Sequence, residues 1–239
     1  MTDVPQTYDE TGAVVHCQLF YVNDSQQAQD ESLQSLIADG LSVAPEWDKL
    51  QRRIVSAGRK SELLLQASKI TSDSHVIDAT AGLGHDSLIL ASTGAQVTML
   101  EQQPLIALLL LVEQQRMSAL PNWQKLMSRL QIINTDALSY FANLEAGTVA
   151  DNATTIDIVY LDPMFPEDSY QDSKTGKARP PTLDEERQLL SSAQAVVKQS
   201  TQGQGRVVVK RPQFAPLLAD EPASESWHNE AVRFDGYFV

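Results

Sequence analysis

The chain has 239 residues, of which 42% are hydrophobic, enough for one sizeable domain or for one domain with a small addition. A formal net charge of −13 argues against a general nucleic-acid-binding protein, because such proteins usually carry a basic surface. No apolar run reaches the ~18 residues that a membrane span needs. The acidic start, MTDVPQTYDE, lacks the pattern of a secretion signal, and a single cysteine, Cys17, is typical of a reducing compartment, so we expect a cytoplasmic protein.

The first elements predict a small acidic α/β unit over residues 1–46. It contains a strand at 13–22 and a short helix, DESLQSLIADG, that ends at Gly40. A helical pattern follows over residues 47–70 and is interrupted at Gly58. We expect the second domain to begin here and to occupy residues 47–239.

The charge changes sign where the second domain begins. Residues 1–50 contain nine acidic residues and one lysine, whereas residues 51–69 contain five basic residues and one acidic residue. A local basic face can bind phosphates on an acidic protein, although a solvated helix face explains the same charges equally well. The candidates for phosphate contacts in this segment are Arg52, Arg53, Arg59 and Lys60.

From residue 75 onward, short apolar strands alternate with helices. The strands are predicted at HVIDA, QVTMLE, LQIINTD, IDIVYLD, GRVVVK and VRFDGYFV, and the helices at 86–93, 104–120, 137–144 and 183–199. Alternation of this kind is typical of an α/β domain whose parallel sheet is covered by helices on both faces.

A glycine-containing turn, DATAGLGHD, follows the first of these strands and includes Gly82 and Gly84. In open α/β sheets, ligands bind beyond the carboxyl ends of the strands, where glycines allow close approach to the main chain. A dinucleotide-binding fingerprint would need a third glycine where this chain has Ser87, so that pattern is not met.

Acidic residues stand at the ends of three successive strands: Asp78, Glu101 and Asp136. Three carboxylates at one sheet edge would repel one another without a ligand rich in donors and positive charge, such as S-adenosylmethionine. Glu101 follows Gly82 by 19 positions, close to the interval of about 20 residues at which an acid binds a ribose diol. Each acid alone could be a helix cap or a surface strand end. Together they favour a site for this cofactor.

The fourth strand ends in the motif DPMFP at residues 162–166. The Asp162 carboxylate and the Pro163 carbonyl can accept the two protons of an exocyclic amine, and Phe165 offers a face on which a base can stack. Proline fixes the local backbone and so aims these acceptors. An ordinary turn explains most isolated Asp-Pro pairs, but its position beside the cofactor set predicts a methyl-transfer site with Asp162, Pro163 and Phe165 as catalytic residues.

Four segments, VIDATAGLGHDSLILAS, VTMLEQQP, VYLDPMFP and RVVVKRPQFAPLLA, resemble the RsmJ family, also called YhiQ, of bacterial 16S ribosomal RNA (guanine-N2) methyltransferases. The resemblance runs from about Leu50 to the C-terminus. It implies a Rossmann-like class I methyltransferase sheet of seven mostly parallel strands that binds S-adenosylmethionine and methylates the N2 amine of a guanine. The positions that it carries over as cofactor contacts are His85, Asp86, Glu101, Gln102, Asp136, Ala137 and Asp162.

The sequence interpretation is therefore a cytoplasmic enzyme that receives an unpaired or flipped guanine of 16S ribosomal RNA, either free or in the small ribosomal subunit. No metal is predicted, because the four histidines lack ligand spacing. Further candidates for phosphate contacts are Lys174, Lys177, Lys210 and Arg211. Two alternatives stay open: N6-adenine methylation of DNA or RNA, and a non-catalytic RNA-binding assembly factor that binds the same cofactor.

Overall fold

The computed structural model describes residues 44–58, 61–147, 155–163, 181–201 and 205–239, together with two short strands nearer the start of the chain. The chain divides into two compact units, Met1–Val43 and Ala44–Val239. In the first unit, β1 (Thr7–Tyr8) pairs antiparallel with β2 (Val14–Val15). Of the strand predicted at 13–22, only Val14–Val15 is described, and the helix predicted at 30–40 lies outside the described residues.

The second unit alternates helices and strands as predicted. Its helices are α1 (Gln51–Ser56), α2 (Leu63–Ser68), α3 (His85–Ser92), α4 (Pro104–Ser118), α5 (Gln124–Met127), α6 (Ala137–Glu145) and α7 (Leu183–Thr201). Its strands are β3 (His75–Asp78), β4 (Gln96–Glu101), β5 (Leu130–Asn134), β6 (Ile158–Leu161), β7 (Arg206–Pro212), β8 (Glu225–His228) and β9 (Val232–Phe238). In the part of the chain that the structure describes, no helix is long and apolar enough to cross a membrane.

Strands β3 to β9 form one sheet in the order β5-β4-β3-β6-β7-β9-β8. Strands β3 to β7 are parallel, and β9 runs antiparallel between β7 and β8. Parallel neighbours need crossover connections, and the helices between the strands supply them. The predicted α/β sheet of seven mostly parallel strands is therefore confirmed.

Helices cover both faces of this sheet, because its central strands are apolar on both sides. Every residue of β3 and β6 is buried. Neighbouring side chains point to opposite faces, so Val76 packs into a core with α2, α3, α4 and α5, whereas Ile77 packs into a second core with α6 and α7. This arrangement leaves the carboxyl ends of the parallel strands at one open edge.

Trp47 fixes the start of the second unit behind that edge. The indole is fully buried, its Nε1–H donates to the Leu83 carbonyl at 2.8 Å, and the Trp47 backbone N–H donates to Glu113 Oε1 at 3.1 Å. The glycine turn after β3 is therefore supported from within the core.

Candidate active site

A cleft lies at the carboxyl edge of the sheet, beyond the ends of β3, β4, β5 and β6. Its volume is about 570 Å³, within the range of roughly 300–1,000 Å³ for small-molecule sites. Four carboxylates line it, and its described lining residues include no lysine or arginine: the acids are Glu101, Asp136, Asp162 and Glu185. A wall of this charge favours a ligand that carries positive charge.

Glu101 presents a carboxylate that the backbone has already oriented. It ends β4, is 7% exposed, and accepts hydrogen bonds from the Gly82 N–H at 3.0 Å and the Gln103 N–H at 2.7 Å. Each oxygen takes one of these bonds, so each keeps acceptor capacity for a further donor. The carboxylate is thus suited to bind two neighbouring hydroxyls, as the spacing from Gly82 predicts.

The two glycines of the turn have different surroundings. Gly82, with φ of +51°, lines the cleft beside Glu101. Gly84, with φ of +76°, faces the core instead, where a Cβ atom would lie 2.7 Å from Met99 Cε and 3.0 Å from the Trp47 ring. Gly84 therefore serves the packing of the turn rather than access of a ligand to the backbone.

Asp78 and His85 do not line the cleft. Asp78 is buried and accepts hydrogen bonds from the Thr80 N–H at 3.2 Å and from the Ser87 hydroxyl at 2.5 Å. Burial raises the pKa of Asp78 to about 7, although these hydrogen bonds lower it in part. The His85 ring, through Nε2, lies 2.7 Å from the Pro45 carbonyl oxygen. Both side chains lie behind the turn, which the sequence could not indicate.

Asp136 combines two roles that the sequence presented as alternatives. It caps helix α6 by accepting a hydrogen bond from the Ser139 N–H at 2.9 Å, and it also lines the cleft. Partial burial acts to raise the pKa of Asp136, but backbone hydrogen bonds, above all from Ser139, outweigh it and lower the pKa. Ala137 and Gln102 also line the cleft, as the resemblance implies.

Asp162 and Pro163 form the opposite wall, at the end of β6. The Asp162 backbone N–H donates to Thr80 Oγ1 at 2.6 Å, which ties this strand end to the turn after β3. Burial raises the pKa of Asp162, and the ammonium of Lys210 offsets part of this rise. Phe165, the third predicted catalytic residue, lies outside the described residues.

Lys210 and Asp86 do not face the cleft but bind each other behind Asp162. Lys210 Nζ lies 2.7 Å from Asp86 Oδ2 and 2.9 Å from Asp162 Oδ2. Burial acts to lower the pKa of Lys210, but the two carboxylates outweigh it and raise the pKa to about 12. Lys210 is therefore engaged by acidic side chains of its own chain.

The other predicted phosphate contacts fall into three groups. Arg211 is 2% exposed and paired with Glu186 at 2.9 Å, so its guanidinium is buried and already bound by an acid of its own chain. Arg53 donates twice to the Glu62 carboxylate at 2.9 Å, whereas Arg52 is exposed. The remaining four lie outside the described residues: Arg59, Lys60, Lys174 and Lys177.

Sequence reasoning missed the apolar part of the cleft wall, which includes Leu100, Ile106 and Leu138. Their positions gave a signal, because Leu100 and Leu138 are next to Glu101 and Ala137, and Ile106 lies in the first turn of α4. Apolar surface beside oriented carboxylates fits a ligand with a flat ring, a diol and positive charge. The residues present therefore fit S-adenosylmethionine. The described residues contain no cluster of three or more metal-ligating side chains.

Comparison with known proteins gives the family. A family model described as "Putative SAM-dependent methyltransferase" matches residues 16–239. Two proteins named ribosomal RNA small subunit methyltransferase J, from Psychrobacter cryohalolentis and Psychrobacter arcticus, are 62% and 72% identical to this chain. These matches cover 95% and 88% of this chain and 97% and 76% of the relatives. The chain belongs to the ribosomal RNA small subunit methyltransferase J family.

A solved structure of a SAM-dependent methyltransferase supports the same conclusion. The SAM-dependent methyltransferase from Neisseria gonorrhoeae is 31% identical, with a TM-score of 0.65 over 83% of this chain and 76% of that chain. Membership of the methyltransferase J family confirms the predicted methyltransferase fold and S-adenosylmethionine as the cofactor.

Proposed function

We propose that this protein methylates the exocyclic N2 amine of a guanine in 16S ribosomal RNA, in the cytoplasm where small ribosomal subunits are assembled. The observation that carries the proposal is the position of Asp162 and Pro163 in the wall of the cleft that Glu101 and Asp136 also line. The names of the relatives, which are small-subunit ribosomal RNA methyltransferases, support the choice of substrate.

The half of the cleft formed by β3, β4 and β5 would hold the cofactor. Glu101 would bind the ribose diol, the acidic wall would balance the positive charges, and apolar residues such as Ile106 would cover the adenine ring. When bound, the cofactor supplies an electrophilic methyl group on a sulfonium. The chain contributes an oriented site from which water is displaced.

The half formed by β6 would orient the amine. A guanine N2 amine is a weak nucleophile, because its lone pair is delocalised into the base. Hydrogen bonds from its two protons to the Asp162 carboxylate and the Pro163 carbonyl localise that lone pair and direct it toward the methyl group. Because Asp162 lies in a strand end held by Thr80, this acceptor is fixed before the base arrives.

Transfer of a labelled methyl group tests the proposal. Small subunits from a deletion strain, free 16S ribosomal RNA and duplex DNA are incubated with the protein and labelled cofactor, then digested to nucleosides for mass spectrometry. We expect label in N2-methylguanosine from ribosomal RNA. Label in N6-methyladenosine would support the adenine alternative, and no transfer to any substrate would favour the assembly factor.

Asp162→Asn tests the assigned mechanism. The amide can present an NH₂ group to the amine, so that one donor faces another, and the single-turnover rate at saturating cofactor and RNA should fall about a hundredfold or more. Asp184→Asn, at a side chain that is 93% exposed, is the matched control and should react normally. A near-normal rate for the Asp162 variant would mean that Asp162 only shapes the loop.

A further inference from the structure

Lys210 joins two carboxylates that come from different elements, Asp86 in the first turn of α3 and Asp162 after β6. Its Nζ lies 2.7 Å from the first and 2.9 Å from the second. The side chain of Lys210 is only 26% exposed, that of Asp86 15% and that of Asp162 29%. Ion pairs with this little exposure are screened weakly by water. The position of the ammonium therefore depends on both carboxylates, and theirs on it.

Asp86 provides the fixed end of this arrangement. Its Oδ2 also accepts a hydrogen bond of 2.7 Å from the hydroxyl of Tyr160, a buried residue of β6. Burial, together with nearby carboxylates, raises the pKa of Tyr160 well above its ordinary value, so the hydroxyl stays protonated and remains a donor. Asp86 is thus held by the sheet, and Lys210 is held by Asp86.

We propose that Lys210 is a positioning residue for Asp162 and not a contact for RNA phosphates. Because Lys210 binds Oδ2 of Asp162, it leaves Oδ1 as the oxygen directed to the target amine, and no described residue donates to Oδ1. The inference rests on the proposed function, in which Asp162 accepts a hydrogen bond from that amine.

The charges around Asp162 make its ionisation depend on Lys210. Burial raises the pKa of Asp162, Lys210 offsets part of the rise, Asp86 raises the pKa further and Arg211 lowers it. Asp78 and Tyr160 also interact with this carboxylate. Since the proposed acceptor is the carboxylate form, activity should be lost as the pH falls through the pKa of Asp162. Without Lys210, that loss should occur at a higher pH.

Lys210→Met tests this role because it keeps the apolar stem and removes the charge. The single-turnover rate at saturating cofactor and RNA should fall about a hundredfold, the scale of a ~1 Å misplacement of a reacting group. The acid limb of the pH profile should move to higher pH, while RNA affinity and its salt dependence stay unchanged. Lys210→Arg, which keeps the charge, should recover much of the rate.

Lys198→Met is the matched control, because Lys198 is exposed near the end of α7, and it should change none of these quantities. Circular dichroism checks the fold, and Lys210→Gln is the second neutral variant if the methionine variant does not fold. Weaker RNA binding with a smaller salt slope and a normal rate at saturation would identify a phosphate contact and overturn the proposal.

A measurement without RNA separates this inference from the proposed function. Carbon-13 NMR titration of the Asp162 carboxyl, assigned with the Asp162→Asn variant, should show a higher pKa in Lys210→Met than in the unchanged protein. An equal pKa would overturn the positioning role even if guanine is methylated. Absence of methyl transfer by the unchanged protein, with the pKa difference present, would instead overturn the proposed function alone.

Discussion

Glu101 is oriented by two backbone N–H groups before any ligand binds. Glu101→Gln keeps the size of the side chain but turns an NH₂ group toward the N–H of Gly82 or Gln103. Cofactor affinity should therefore fall by about 1.5–3 kcal/mol, the scale of hydrogen bonds to charged groups, as measured by calorimetry. Glu145→Gln, at the exposed end of α6, should bind normally. Equal affinities for the two variants would remove Glu101 from the site.

Asp78 is a buried acid, and its contribution to the free energy of unfolding depends on pH. Its pKa in the folded protein is about 7, above the ordinary value of 3.8, so the folded state binds the proton more tightly than the unfolded state. The contribution of this carboxyl to the free energy of unfolding is therefore fully present below the ordinary pKa. It is lost as the pH rises toward 7.

Asp78→Asn removes this titration while its amide can still accept from Thr80 and donate to Ser87. The free energy of unfolding of the variant, relative to the unchanged protein, should increase between pH 5 and pH 8 in urea titrations. Asp73→Asn, at an exposed position, should show no such trend. A difference that is constant with pH would mean that Asp78 is already ionised in the folded protein.

At the scale of elements, the turn between β3 and α3 requires a residue without a side chain, Gly84. Gly84→Ala should destabilise the protein for two reasons: the left-handed backbone costs about 1–2 kcal/mol, and contact with Met99 and Trp47 adds about 1–3 kcal/mol. Gly147→Ala isolates the first cost, because Gly147 has φ of +67° and nothing lies within 4 Å of its Cβ position. Urea unfolding should rank Gly84→Ala as the less stable variant, and equal losses would contradict the packing role.

Most elements of the second unit could be predicted, because the buried parallel strands are short apolar runs between turn residues, and because the apolar residues of α7 recur at helical spacing. Strand β8 (Glu225–His228) was missed since it is a short edge strand with mostly exposed side chains, and the four residues of α5 are too few to show a period. The structure brings three of the acids at the strand ends, Glu101, Asp136 and Asp162, to one cleft, and their role as cofactor or substrate contacts stays a prediction. The sequence could not indicate side-chain orientation, because Asp78 bonds within the turn and Lys210 pairs with residues 124 and 48 positions away.

At the scale of the whole molecule, a net charge of −13 opposes the approach of RNA, so binding must depend on local basic groups. Replacing Arg52, Arg59 and Lys60 with alanine should weaken RNA binding and reduce its salt slope by about 0.7–0.9 for each phosphate that is no longer neutralised. Fluorescence anisotropy at several salt concentrations measures this slope. Arg53→Ala should change it less, since Arg53 is paired with Glu62. If the triple variant keeps the slope, this segment is only a solvated surface.

Strand β3 lies inside the sheet, between β4 and β6, and these two partners are synthesised at very different times. Strand β4 follows it almost at once, but β6 begins only at Ile158, after α4, β5 and α6 have been made. At about 5–20 residues per second, the backbone N–H and C=O groups along one edge of β3 stay unpaired for several seconds until β6 is made. During translation the half of the cleft that we assign to the cofactor therefore emerges first, with an open strand edge of the kind that chaperones cover.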